Sequence, residues 1–121
     1  MKLYHSTTSP FVRKVTMLLH ETGLIDGVEL VPSKGTPLDS SGMPVAQNPL
    51  GKVPALERSD GPAIYDSRVI CRYLDDRAQS GLYLDGNRLW DILTIEATAD
   101  GILEAALAIA QIDTALAGTH Y

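Results

Sequence analysis

VPALERSDGPAIYDSRVICRYLD, residues 53–75, decides the fold of this chain. Val53-Pro54-Ala55-Leu56-Glu57 is the mainly apolar opening of a strand, with a proline where a missing N–H costs no ladder bond. Ser59-Asp60-Gly61 is a turn signal and Ala63-Ile64-Tyr65 a second strand, so the first half is a β-hairpin. Asp66 then offers its carboxylate to the open N–H groups of a helix whose Val69, Ile70, Tyr73 and Leu74 share one face. A hairpin that runs straight into an amphipathic helix belongs to a mixed sheet covered by helices.

Upstream, Lys2-Leu3-Tyr4-His5 reads as a first strand. Ser9 is an N-cap with Pro10 at the first helical position. Phe11, Val15, Leu18 and Leu19 follow at helical spacing, and the helix ends near Gly23. Val28-Glu29-Leu30-Val31 is a second strand, and strand–helix–strand order favours a parallel pair with a right-handed crossover. Between residues 32 and 52, Pro32, Pro37, Pro44 and Pro49 with Gly35, Gly42 and Gly51 leave room for at most a short, irregular helix. The expected fold class is α/β, with the order βαβ-α-ββα over residues 1–78. Residues 79–86 read as a linker. From Leu89 to about Ile112 one long helical pattern carries Leu89, Trp90, Ile92, Leu93, Ile102, Leu103 and Leu107, and alanines fill much of the rest. Residues 87–121 therefore read as a partial all-α second domain, with more apolar surface than the small sheet domain covers.

Composition narrows the function classes. The chain has 121 residues, 45% hydrophobic and 21% charged, which is the balance of a soluble globular protein with a real core. Net charge is -5 and the ten basic residues form no run, which argues against a nucleic-acid partner. Cys71 is the single cysteine, so intramolecular disulfides, CxxC redox chemistry and cysteine-based zinc sites are excluded. A lone cysteine fits a reducing, cytoplasmic setting. The first strand begins at once, with no basic-then-apolar leader, and no apolar run reaches membrane-spanning length.

Each motif has a plain structural reading beside a chemical one. Ser9-Pro10 caps a helix. A hydroxyl at a helix N-terminus also donates to an anionic sulfur, and the helix dipole favours that anion. Thr7 and Thr8 compete with Ser9 for that role. Arg13, one turn in, adds positive potential or lies on a solvated face. Val53-Pro54 is an ordinary strand start, since only about 5–6% of X–Pro bonds are cis. Asp66-Ser67 is a cap, and equally a helix N-terminus able to hold a carboxylate. Glu96, Asp100 and Glu104 form an acidic stripe on the long helix, read as a solvated face. Cys71 reads as a buried core thiol and Trp90 as a packing residue. His5 and His20 have no triad or metal-ligand partners at recognisable spacing.

Together, SPFVRKV (9–15), NPLGKVPAL (48–56) and YDSRVICRYLD (65–75) resemble the cytosolic glutathione transferases, in particular bacterial members with a serine-proline start to the first helix. The three motifs stand in family order over residues 1–78. The resemblance implies a thioredoxin-like N-terminal domain that binds glutathione as co-substrate, without a metal, and a homodimer. It places the reactive hydroxyl at Ser9, with Thr8 as the second candidate. It makes Val53–Pro54 cis, so that the Val53 backbone pairs with the cysteinyl backbone of glutathione like an added strand. It sets Lys52, with Lys34 and Gln47 behind it, near the glycine carboxylate. It puts the γ-glutamyl carboxylate on Ser67 and the ammonium on Asp66, with Asp100 reaching across the dimer and Arg68 in support. At the C-terminus the chain departs from the family: Gln111 to Leu116 resembles a later helix of the second domain, with intervening sequence absent.

Two functions follow as expectations. One is an enzyme of cytoplasmic detoxification that stabilises the glutathione thiolate for attack on a small electrophile. The other is a truncated, non-catalytic module that binds glutathione or a protein partner. A peroxidase or thiol-transfer activity fits less well without a cysteine at position 9.

Overall fold

The computed structural model describes residues 1–35 and 41–117. The chain divides into two compact units, Met1–Tyr83 and Leu84–Tyr121. In the first, a four-stranded sheet is built from β1 (Lys2–His5), β2 (Glu29–Pro32), β3 (Ala55–Arg58) and β4 (Gly61–Ile64) in the order β2-β1-β3-β4. β1 and β2 are parallel, joined through helix α1 (Pro10–Thr22) and a short 3-10 turn at Ile25–Gly27. β3 runs antiparallel to both β1 and β4. Helix α2 (Ser67–Ala78) follows β4. This is the thioredoxin-like arrangement the sequence implied.

Local chemistry sets the element ends. Ser9 has extended backbone and its Oγ accepts from the Val12 N–H at 3.3 Å, with Pro10 at the first helical turn. At the other end of α1, Gly23 takes φ 74°, a left-handed conformation that costs glycine little, and the Leu24 N–H closes on the Leu19 carbonyl at 3.0 Å. Leu3 pairs with Leu56, and Leu56 with Ile64, across the three central positions of the sheet. α1 and α2 pack together, and Val15, Leu19, Ile70, Cys71 and Leu74 close over Leu3, Val28 and Leu56 in one core. Cys71 is buried there, as expected.

Three boundaries differ from the sequence reading. β2 is displaced by one residue; β3 starts at Ala55 and not at Val53, and β4 starts two residues early at Gly61, because Ser59-Asp60 makes the hairpin turn alone and the Arg58 Nε–H reaches the Pro62 carbonyl at 2.8 Å. The short helix expected between β2 and β3 is represented, among the described residues, by one turn in which the Asn48 N–H bonds the Pro44 carbonyl at 2.8 Å. Pro37 lies outside the described residues. A methyl group at Gly42 would collide with the backbone carbonyl of Lys34, so only glycine allows the close pairing of those two residues.

The second unit is dominated by helix α3 (Asn87–Ala117). Gln111 to Leu116 continues this helix without a break, where a later, separate helix was expected. No helix among the described residues is long and apolar enough to cross a membrane.

Candidate glutathione site

Strand register brings the three sequence motifs to one end of the sheet. Tyr4 stands opposite Ala55, so the C-terminal end of β1, which leads to Ser9, lies beside the start of β3 at Val53–Pro54. Leu56 stands opposite Ile64, which brings the end of β4, and with it Asp66–Ser67, to the same edge. β2 runs parallel to β1 with Pro32 opposite His5, so Lys34 follows at this end too. Successive motifs, at Ser9, Val53 and Asp66, are 44 and 13 residues apart in sequence, and the topology alone makes them neighbours.

Ser9 holds its cap with a lone pair, which leaves the hydroxyl proton available for a second partner. Thr7 and Thr8 are exposed, and Thr8 Oγ1 lies 3.0 Å from Ser6 Oγ. Arg13 is exposed on α1. The Val53–Pro54 peptide is cis. Among the described residues neither the N–H nor the carbonyl of Val53 is used by the fold, and the residue is half-buried. Lys52 and Lys34 are both exposed.

The loop that presents Val53 is pinned by Asn48, which is 2% exposed. Its Nδ2 donates to the Lys52 carbonyl at 3.1 Å, and its Oδ1 accepts the Leu50 N–H at 2.9 Å. Alanine at 48 removes both bonds, a loss of about 2 kcal/mol. Chemical denaturation of the Asn48→Ala protein should show that loss. Gln47 is held elsewhere: its Nε2 donates to Glu57 at 2.8 Å, and Glu57 also takes the Tyr4 hydroxyl at 2.7 Å. The Tyr4 bond, then the Gln47 bond, holds the Glu57 carboxyl below its usual range, and the same bond to Glu57 raises the Tyr4 hydroxyl.

The Tyr65–Asp66 peptide is also cis. Asp66 caps α2 by accepting the Arg68 N–H at 3.0 Å, and the Arg68 guanidinium folds back onto both carboxylate oxygens at 3.3 and 2.8 Å. That pairing, followed by the field of Arg68 and of Lys14 on α1, lowers the Asp66 carboxyl despite some desolvation. Ser67, 2% exposed, occupies the first turn beside it. A lowered folded pKa means that ionised Asp66 stabilises the fold above the unfolded carboxyl value of about 3.9. The contribution is lost as pH falls below 4 through the folded value. Acid titration of the Asp66→Asn protein should therefore show a shallower loss of stability below pH 4 than the parent.

Asp100 lies on α3, in the second unit, and is 2% exposed, so the acidic stripe is not wholly the solvated face expected; Trp90, read as a packing residue, is exposed. Among the described residues no group of three His, Cys, Asp or Glu could hold a metal ion. An open depression of about 210 Å³ lined by Met1, Lys2, Glu57, Arg58 and Ser59 lies at the opposite end of β1 and β3 and touches none of the three motifs. Sequence reasoning gave Asn48 no role, although an Asn-Pro pair is a turn signal. It also missed the Tyr4–Glu57–Gln47 group, for which the linear sequence carries no signal.

Comparisons with known proteins bear on the family and the fold. The model of the glutathione S-transferase N-terminal domain matches residues 8–77. The chain is 41% identical over 110 residues to the uncharacterized GST-like protein YibF of Escherichia coli (strain K12), covering 88% of this chain and 52% of YibF. It resembles the crystal structure of a glutathione transferase family member from Pseudomonas fluorescens Pf-5 with bound glutathione, at 42% identity and a TM-score of 0.80, covering 89% of this chain and 54% of that one. It also resembles a glutathione S-transferase from Methylobacillus flagellatus KT with GSH bound, at 37% identity and a TM-score of 0.74, over 88% of this chain and 52% of that one. The chain spans about half the length of these relatives.

Proposed function

The chain belongs to the glutathione S-transferase N-terminal domain family, and on that premise we propose that it binds glutathione at the sheet end formed by Ser9, Val53–Pro54 and Asp66–Ser67 and stabilises its thiolate for conjugation. The observation that carries the proposal is the convergence of these residues through strand register. The Val53 N–H and carbonyl pair with the cysteinyl backbone of the tripeptide. The Ser67 hydroxyl and the N-terminus of α2 hold the γ-glutamyl carboxylate. Asp66, kept ionised by Arg68, accepts the ammonium. Lys52, with Lys34 following at the same sheet end, meets the glycine carboxylate. Gln47 would have to leave Glu57 to join them.

Chemistry then needs a thiolate. Ser9 donates its hydroxyl proton as a hydrogen bond to the sulfur, and the thiol proton leaves to solvent. The sulfur forms a bond to an electrophilic carbon as that carbon's leaving group departs with its electron pair. The protein supplies pKa tuning and positioning without a covalent protein intermediate. Family membership supports the wider reading of a cytoplasmic homodimer that detoxifies small electrophiles, with Asp100 completing the ammonium site of a second copy.

A second reading is a binding module that holds glutathione without turnover. On this reading each residue assigned above contacts glutathione and none is assigned to an electrophile. Turnover of a generic aryl halide with glutathione separates the two. Product formation that saturates with glutathione supports the transferase, and binding without product supports the module.

A further inference from the structure

Leu3 and Leu56 face the core, so by alternation Tyr4 and Glu57 lie on the other face of the sheet. There one oxygen of the Glu57 carboxylate takes two donors, the Tyr4 hydroxyl at 2.7 Å and the Gln47 Nε2 at 2.8 Å. All three side chains are half-buried. A charged acceptor makes such bonds stronger than neutral ones. Gln47 belongs to a segment bonded largely to itself. The Gln47 and Asn48 N–H groups both close on the Pro44 carbonyl, at 3.1 and 2.8 Å, and the Gly51 N–H closes on the Asn48 carbonyl at 2.8 Å. The Asn48 side chain then holds the Lys52 carbonyl at 3.1 Å. That carbonyl and the Val53 N–H are the two ends of one planar peptide. Glu57, Gln47, Asn48 and Lys52 thus form one bonded line, and it ends on the group that aims the Val53 N–H.

We propose that Glu57 is a positioning residue for the backbone of bound glutathione, and that Gln47 is the arm through which it acts, not a ligand of the glycine carboxylate. The inference rests on the glutathione reading of the site. Glu57 stands opposite Lys2, at the end of β1 away from the three motifs. It lies four residues along the chain from Val53, about 13 Å of extended backbone, so it acts through other groups. Gln47, bonded to Glu57, leaves the glycine carboxylate to Lys52. A latch that is closed before the ligand arrives works through populations. Without it the segment spends part of its time displaced, and the apparent dissociation constant rises by the reciprocal of the competent fraction.

Two measurements on the full chain test this. Residue-resolved hydrogen exchange by NMR needs no ligand. Gln47→Ala and Glu57→Ala should each speed exchange at the Leu50 and Gly51 amides about tenfold, with the core amide of Leu19 unchanged. Titration with glutathione and with γ-glutamylcysteine, which lacks the glycine, separates positioning from contact. Each single change should weaken both ligands equally, about fivefold, because the Val53 backbone meets the part they share. Adding Gln47→Ala to Glu57→Ala should weaken neither ligand further. The exchanged pair, Gln47→Glu with Glu57→Gln, rebuilds the bond with donor and acceptor reversed and should restore both affinities. A Gln47→Ala protein that loses affinity for glutathione alone overturns the proposal and makes Gln47 a glycine ligand. Additive losses in the double variant, or unchanged amide exchange in both single variants, overturn it as well. A parent protein that binds no glutathione removes the reading of the site itself, and the proposal with it, whatever the variants show.

Discussion

Replacing Asp75 with alanine is expected to destabilise Met1–Tyr83 by about 3 kcal/mol, with melting more than about 10 °C lower. Asp75 is 8% exposed near the C-terminal end of α2. Its Oδ1 accepts the Ser80 hydroxyl in a short bond and the Leu82 N–H at 2.8 Å, and its Oδ2 accepts the Tyr83 N–H at 3.2 Å. One carboxylate thus ties down the chain leaving α2. Tyr83, held by this anchor, also receives the Arg72 guanidinium over its ring at 5.2 Å. Burial is the largest single influence on the Asp75 carboxyl and pushes it up. The Ser80, Leu82 and Tyr83 donors together outweigh it, so the pKa lies below the usual carboxylate value. Ionised Asp75 therefore stabilises the fold above about pH 4, and the contribution fades as pH falls through the folded value. Asp75→Asn keeps the shape but presents an amide NH₂ to donors, a loss of about 2 kcal/mol that no longer varies with acid. Denaturant unfolding at pH 7 and pH 3 measures both. A loss below 0.5 kcal/mol for Asp75→Ala would show that solvent replaces the carboxylate without cost.

Ser9→Ala is expected to raise the pKa of bound glutathione's thiol by about one to two units. A thiol with an ordinary value of about 8.5 is mostly protonated at neutral pH, and lowering it by two units takes about 2.7 kcal/mol of thiolate stabilisation. A charge-assisted hydrogen bond of about 1.5–3 kcal/mol and a helix N-terminus of about 0.3–1 kcal/mol are of the required size. Ser9 is the N-cap of α1, and on the proposed reading it supplies both. The same change removes the bond to the Val12 N–H and lowers stability by about 1 kcal/mol, so the two effects are read separately, by thiolate absorbance against pH and by unfolding. Ser9→Thr keeps a hydroxyl and should retain most of each. A thiol titration unchanged in Ser9→Ala would move the role to Thr8 or Thr7.

What the sequence made legible is what local chemistry controls. Ser9-Pro10, Gly23 and Asp66 are caps whose residue types match the backbone conformations found there. The hairpin turn and most of the apolar faces of α1 and α2 follow from turn chemistry and helical spacing, although Val69 is exposed and Val12, not expected on the apolar face of α1, is buried. Strand ends slipped by one or two residues because a proline lacks the donor that would extend β3 to Val53, and because Arg58 folds across a turn of only two residues. The site's end-on assembly rested on family resemblance, since register between strands far apart in sequence is not written in any one of them. Side-chain roles were hardest. Asn48, Glu57 and Asp75 act through partners several to many residues away. One signal for Asp75 was present: Asp75-Asp76 sits at a helix C-terminus, where the dipole disfavours anions, so compensating donors had to be nearby.

The central claim is that the end of the sheet carrying Ser9, Val53 and Ser67 is a glutathione site. Isothermal titration of the full chain with millimolar glutathione at neutral pH, paired with thermal unfolding in the same buffer, tests it most directly. The account predicts saturable heat at one site per chain and a rise in melting temperature with glutathione concentration. No heat and no thermal shift would contradict it.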